Sequence, residues 1–221
     1  MIGRVHVVGA GRVGTAIAAR LRERGVAVGA ASPELVLLCV PDRAIAEAAA
    51  AVEPGPWVAH VSGATPLAAL AEHERRFGLH PLQTFTLARG AEQLDGAYAA
   101  VTAETAEART IALELARVLG LTPFVLDDAK RDAYHAGAAI AASYLVTLRH
   151  AAGLLLESAG APPEALDPLM RRTIENGYEL TGPISRGDWE TLDRHLAAIR
   201  RERPELEELY TVLADATKEL A

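Results

Sequence analysis

The sequence predicts an α/β protein: a mostly parallel, Rossmann-type sheet with helices on both faces and a shortened second βα unit, followed by an all-α C-terminal domain. Three observations carry this. Short β-branched runs alternate with amphipathic stretches up to about residue 126. The glycine run Gly9-Ala10-Gly11-Arg12-Val13-Gly14 joins the first such run to the first such stretch. Beyond Asp127 no strand pattern appears. The expected domains are residues 1–126 and 127–221.

Val5–Val8 is the first expected strand. It leads into G-x-G-x-x-G, a fingerprint whose first glycine permits a tight turn. The second lets a pyrophosphate approach the backbone, and the third lets the following helix, Thr15–Arg24, pack closely. The N-terminus of that helix offers free N–H groups and a positive dipole end to phosphates. Further strands are expected at Val26–Gly29, Leu35–Val40, Trp57–Val61, Tyr98–Thr102 and Pro123–Leu126. Helices are expected at Arg43–Val52, Pro66–His73 and Thr105–Leu119. His80–Phe85 reads as a loop. Asp127-Asp128 caps a long helix reaching about Ser158. Gly160 and Pro162-Pro163 separate it from a helix near Glu164–Leu180, and Gly182-Pro183 ends that one. Asp188 caps a helix to about Arg201, and Pro204 starts the last.

Composition narrows the function classes. Half of the 221 residues are hydrophobic and 23 % are charged, an ordinary globular balance. A net charge of −7 argues against nucleic acid or an anionic membrane surface as partner. Cys39, the sole cysteine, lies in an apolar run and reads as a small core residue. No charged leader with an apolar segment and cleavage site precedes the first strand, so a cytoplasmic protein is expected. The apolar stretch Ala136–Leu148 is too short to span a bilayer and reads as a buried helix. Neither C-x-x-C nor H-E-x-x-H occurs, so no metal site is expected, and no G-x-S-x-G elbow is present.

Ligands of open parallel sheets bind beyond the C-terminal strand ends. The candidate loops there are Gly9–Gly14, Val40-Pro41-Asp42, Ser62-Gly63-Ala64 and His80-Pro81-Leu82-Gln83-Thr84-Phe85. Each is also ordinary turn chemistry taken alone. On the long helix, His135, Ala138, Ala139, Ala142 and Val146 share one face by 3.6-residue spacing. That face is built mostly of small side chains, although a lone histidine there is more often a core residue. Lys130 reads as solvated. Thr181, Gly182, Pro183, Arg186 and Asp188 form a turn suited to an anion or amide, or simply a capped helix connection.

Taken in order, these motifs resemble a bacterial family that joins a Rossmann-like NAD(P)-binding domain to a helical domain of unknown function. The resemblance rests on Gly9–Gly14, Val40-Pro41-Asp42, Ser62-Gly63, His80–Phe85, Tyr134-His135-Ala136, and Leu180–Pro183 with Arg186-Gly187-Asp188. The chain is also similar to pyrroline-5-carboxylate reductases, deazaflavin-dependent NADP reductases and the 6-phosphogluconate dehydrogenase group. This implies an NAD(P)-linked oxidoreductase. Two departures stand out: Ser143 replaces an asparagine usual in the family, and the helix and further strand after the second strand are missing.

The resulting expectation is hydride transfer between a nicotinamide cofactor and a small carbonyl, imine or hydroxy acid. Gly9, Gly11, Arg12, Val13 and Gly14 would hold the pyrophosphate. Ser32, Val40, Pro41, Ser62 and Gly63 would complete the cofactor site. His135, Ser143 and His80 are the candidate catalytic groups, with either histidine as proton donor. Thr181, Gly182, Pro183, Arg186 and Asp188 would face the substrate. NADP is favoured over NAD because no carboxylate follows the second strand until Glu34; deazaflavin is a third option. The alternative is a non-catalytic nucleotide-binding or scaffold protein. A homodimer through the helical domain is expected, since the long helix is apolar on more than one face. The five residues from Ala30 to Glu34 span at most about 18 Å, leaving no room for the usual crossover helix. A shortened or displaced second strand and an exposed adenosine side of the pocket should follow.

Overall fold

The computed structural model describes residues 2–221. Among them, strands β1 (Arg4–Val8), β2 (Ala27–Val28), β3 (Leu35–Leu38), β4 (Trp57–His60), β5 (Arg76–Leu82), β6 (Tyr98–Thr102) and β7 (Thr122–Val125) form one sheet. Its order is β2-β1-β3-β4-β5-β6-β7. β1 to β5 run parallel; β6 is antiparallel to β5, and β7 is parallel to β6. The pairing aligns Val8, Leu38, His60, Gly78 and Thr102 in one row across the sheet. The glycine loop, Val40–Asp42 and Ser62-Gly63 all follow strands that end at this row. β5 continues four residues past it and carries His80 there.

Alternation along the strands splits the core between two faces. Val5, Leu35, Leu37, Ala59, Phe77 and Leu79 pack with α1 (Arg12–Glu23) and α3 (Ala106–Val118). Val36, Leu38 and Val58 pack with Ile45 and Ala49 of α2 (Ile45–Ala50) and with Leu67 and Leu70. Each fully buried side chain of this size contributes about 1.5–3 kcal/mol. Arg20, 5 % exposed, fixes α1 to the connection before β6 through Asp95 (2.7 Å) and the Ala91 carbonyl (2.9 Å).

β2 is short, as the missing crossover requires. It pairs only with Arg4 and Val5. Gly29, at φ +87°, then turns the chain away. The return to β3 holds no helix. The Glu34 N–H donates to the Arg4 carbonyl (2.9 Å), while its carboxylate accepts from the N–H groups of Gly3 (2.6 Å) and Arg4 (3.3 Å) and pairs with the Arg4 guanidinium (3.1 Å). The sheet face that a crossover helix would cover is a groove of about 600 Å³ lined by His6, Val8, Ser32, Val36, Ala48 and Val52.

Several expectations are corrected. His80-Pro81-Leu82 belongs to strand β5, not to a loop. A proline is tolerated there because β4 has ended and β5 has one neighbouring strand at that level. The helix expected over Pro66–His73 is only a 3₁₀ turn at Leu67–Leu70. That over Arg43–Val52 is a 3₁₀ turn followed by the short α2. The long helix is not buried. Its helical backbone runs over Asp128–Ser158, long and apolar enough to cross a membrane by length and composition, and only 6 % of its most apolar stretch is buried.

The strands end at Val125, just before the expected domain boundary between residues 126 and 127, and the compact units divide between Ala139 and Ile140. Helix α4 (Arg131–Ala139) stays with the sheet because Arg131 is bonded into it. In the second unit a π-helical segment, Ile140–Tyr144, precedes α5 (Leu145–Ser158). α6 (Leu166–Glu175) and α7 (Trp189–Glu202) pack on α5, and α8 (Glu207–Lys218) packs on α7. Polar ties include Arg149–Asp167 (2.7 Å) and His195–Tyr210 (2.8 Å). Ile140, Val146, Leu169, Tyr178 and Val212 are each at least 60 % exposed.

Candidate functional site

The glycine loop has the shape a pyrophosphate needs. A Cβ on Gly9, whose φ is +109°, would collide with the Cys39 carbonyl; one on Gly14 would collide with the Gly9 carbonyl. These two glycines bring the turn against β3 and the helix against the turn. A Cβ on Gly11 would meet nothing within 4 Å, so this position opens to the outside. Gly11 caps α1 without a side-chain hydrogen bond, and no acidic residue occupies the first turn. The N–H groups of Arg12 and Val13 are therefore left to a ligand by a twelve-residue helix with its positive end at the loop. Beside the loop, a cavity of about 350 Å³ is lined by Gly9, Ala10, Gly14, Thr15, Arg22 and Gly29, among others. The residues present fit a dinucleotide phosphate.

A second cluster gathers around Gly63. A Cβ there would lie 2.8 Å from both His80 Cε1 and His135 Cδ2, so the two imidazoles flank the bare backbone of Gly63 and would have to shift for any larger residue. Their ring centroids are 6.3 Å apart. His80 Nδ1 shares a 2.6 Å hydrogen bond with the Tyr134 hydroxyl. Phe124 packs edge-on against Tyr134 at 5.9 Å. Burial, and then the neighbouring His135 and Arg131, push His80 down to about 4, while burial pushes Tyr134 up to about 12. Near neutral pH the phenol keeps its proton and His80 is uncharged. The exposed His135 is the imidazole of the pair open to solvent.

Beneath lies a polar clamp that sequence reasoning missed. Arg131 is 2 % exposed. It donates to the carbonyls of Ser62 (3.1 Å) and Gly63 (3.3 Å), to Thr102 Oγ1 (2.7 Å) and to Asp128 Oδ1 (2.8 Å). Asp128 Oδ2 accepts from the Leu67 N–H (3.0 Å). Arg131 and Asp128 thus fasten the segment after β4 to the start of α4, which carries Tyr134 and His135. Gly78 leaves room for this: a Cβ there would come within 3.2 Å of His60 Cε1 and 3.3 Å of Arg131 Nη2. His60 is fully buried and pushed down to about 4, first by burial and then by Arg131. A basic residue one helical turn from a candidate histidine was visible in the sequence, but nothing there showed its burial.

The other predicted residues divide. Ser62 shapes its own turn: its hydroxyl accepts from the N–H groups of Ala64 (3.1 Å) and Thr65 (2.9 Å). Val40 and Pro41 lead from β3 into the 3₁₀ turn at Asp42, whose charge raises the affinity of His60 and His80 for protons. Ser32 is not at the glycine loop: it lines the sheet-face groove, and its carbonyl accepts from Arg4 Nε (2.8 Å). Ser143 and the turn from Thr181 to Asp188 belong to the second unit. Ser143 lies in the π-helical segment, which breaks the 3.6-residue period assumed to join His135 with Ala142 and Val146. Gly182 and Gly187 take positive φ, and the exposed Arg186 closes the 3₁₀ turn between them. Asp188 caps α7, accepting from the N–H (3.1 Å) and hydroxyl (2.7 Å) of Thr191, which hold its carboxyl below the usual range. Among the described residues no cluster of three His, Cys, Asp or Glu could hold a metal.

Sheet order, glycine loop and helical second unit together define a Rossmann-type fold with a helical C-terminal part. Residues 97–217, more than half of the chain, match the family described as domain of unknown function DUF2520, and the chain belongs to that family. No curated protein matches it. Among solved structures it is similar to BF3122 from Bacteroides fragilis, provisionally assigned as an NADP oxidoreductase. The two share 21 % identity over 99 % of this chain and 98 % of that one, with a TM-score of 0.81. Protein TM1727 from Thermotoga maritima gives 23 % identity, 98 % coverage of both chains and 0.81. A reductive aminase from Aspergillus terreus, solved with NADPH and ethyl levulinate, gives 18 % identity, 99 % and 95 % coverage, and 0.65. At these identities the likeness establishes the fold.

Proposed function

We propose that the protein is an NADP(H)-dependent oxidoreductase acting on a small carbonyl, imine or hydroxy acid. The observation that carries this is the open Gly11 at the uncapped N-terminus of α1, in a loop that follows a strand ending at the same row as the strand before Gly63, which His80 and His135 flank. Bound nicotinamide would supply or accept the hydride. The Arg12 and Val13 N–H groups hold the pyrophosphate. Gly63 keeps the backbone low between the imidazoles, and His135 exchanges a proton with the substrate oxygen or nitrogen. Neutral His80 bonds to Tyr134, and the exposed His135 is the imidazole open to a substrate. Ser143, Thr181, Gly182, Pro183, Arg186 and Asp188 remain substrate candidates by family resemblance alone.

NADP(H) is preferred because the first carboxylate after β2, Glu34, is committed to Gly3 and Arg4. The short β2 removes much of the adenosine platform, so binding is weak, with a Kd of about 0.1 mM or higher. This same feature favours the second reading, a nucleotide-binding protein without turnover. Calorimetry with NADPH, NADH and a reduced deazaflavin tests both. Weak NADPH binding with hydride transfer to a keto acid or imine supports the enzyme, and binding without transfer supports the alternative. Failure of every cofactor to bind at millimolar concentration rejects both.

The protein is further proposed to be a cytoplasmic homodimer paired through its helical unit, whose exposed Ile140, Val146, Leu169 and Val212 need a cover. Light scattering at micromolar concentration should give twice the chain mass, and Val146→Asp should shift it toward the monomer.

A further inference from the structure

We propose that Arg22, near the end of α1, binds the 2′-phosphate of NADP(H). The proposal rests on the cofactor reading above and assigns the selectivity to a residue before β2 rather than after it. Rossmann folds that prefer NADP normally recognise the 2′-phosphate from the end of the second strand. Here β2 stops at Val28, and Ser32, the sequence candidate, lines a different groove. The cavity beside the glycine loop is instead lined by Gly9, Ala10 and Thr15 at one end, Val28 and Gly29 on the strand side, and Arg22 on the helix side. No carboxylate lines it.

Two observations make Arg22 the ligand. Its guanidinium is exposed and, among the described residues, forms no ion pair, whereas Arg20 on the same helix is bound by Glu23 and Asp95. Ten residues separate Arg22 from the first helical residue, an axial rise of about 15 Å. Helical side chains lean toward the N-terminus, so the guanidinium reaches back toward the glycine loop. Arg22 lines the same cavity as Val28 and Gly29, where β2 ends. A guanidinium grips a phosphomonoester bidentately, and a ribose hydroxyl offers it far less.

The test is calorimetric titration of the full chain with NADPH and NADH. Wild type should bind NADPH more tightly. Arg22→Gln should weaken NADPH about tenfold while leaving NADH within twofold. Arg22→Glu should invert the preference. Arg24→Gln, which alters a neighbouring arginine outside the cavity, should change neither. Equal weakening of both cofactors by Arg22→Gln, or an unchanged NADPH preference in that variant, would overturn the assignment while sparing the cofactor reading; tighter NADH binding by wild type would overturn both the assignment and the NADP(H) preference. Failure of wild type to bind either cofactor would overturn both.

Discussion

His80 on β5 and Tyr134 on α4 share a 2.6 Å hydrogen bond beyond the strand-end row, where burial first, and then His135 and Arg131, keep the imidazole uncharged. The relationship decides which histidine can act as an acid. An imidazole held near pH 4 is a poor proton donor at neutral pH, so the role falls to His135.

The first prediction concerns acid stability. His60 and His80 sit at about 4 in the folded chain against 6.5 unfolded. Between those values the unfolded chain binds more protons, so stability rises with pH. It should be fully present above about pH 6.5, fall as pH drops toward 4, and level off in this respect below. Urea midpoints across that window measure it, and a flat profile would mean the buried imidazoles are charged when folded.

Gly63→Ala should damage the site directly. Its Cβ would press on both imidazoles at 2.8 Å. Relieving that contact by moving His135 or the backbone should cost about 1–3 kcal/mol. Denaturant unfolding gives the cost, and imidazole NMR shifts of both histidines should move with it.

Arg131→Met should be among the most destabilising single changes in the sheet unit. It leaves the Ser62 and Gly63 carbonyls, Thr102 and Asp128 without their common donor. A loss of about 3–5 kcal/mol is expected for breaking one side of so buried a network. Arg131→Lys should recover little, because one ammonium cannot span the fork.

His135→Ala should separate chemistry from folding. The side chain is exposed, so stability should change by no more than about 0.5 kcal/mol. Turnover should fall about 10²–10⁴-fold if His135 is the proton donor. Normal turnover per folded molecule in this variant would exclude that role.

The glycine fingerprint and the short return from Gly29 to Leu35 were legible because both rest on local geometry: one on where a Cβ fits, the other on chain length. β5 was not, since Gly78 and Pro81 carry turn chemistry and only the neighbouring β6 makes them a strand. Arg131 was hidden for a related reason, as its partners lie on segments far away in sequence. The long helix misled in the other direction. Its composition suits a core, but its single-chain burial is slight. Spacing from the glycines does not show that Ser32 lines the sheet-face groove, with its carbonyl accepting from Arg4.

The tie from Glu34 to Gly3 and Arg4 bears on how such a chain could change in length. Because that carboxylate and its N–H lock β3 beside β1, the residues between Gly29 and Ser32 do not set the register of the sheet. Insertions or deletions there leave the remaining strands in place. A whole crossover could be lost, or grafted back, in one genetic event, which makes this junction the natural point at which to build a wider nucleotide pocket by design.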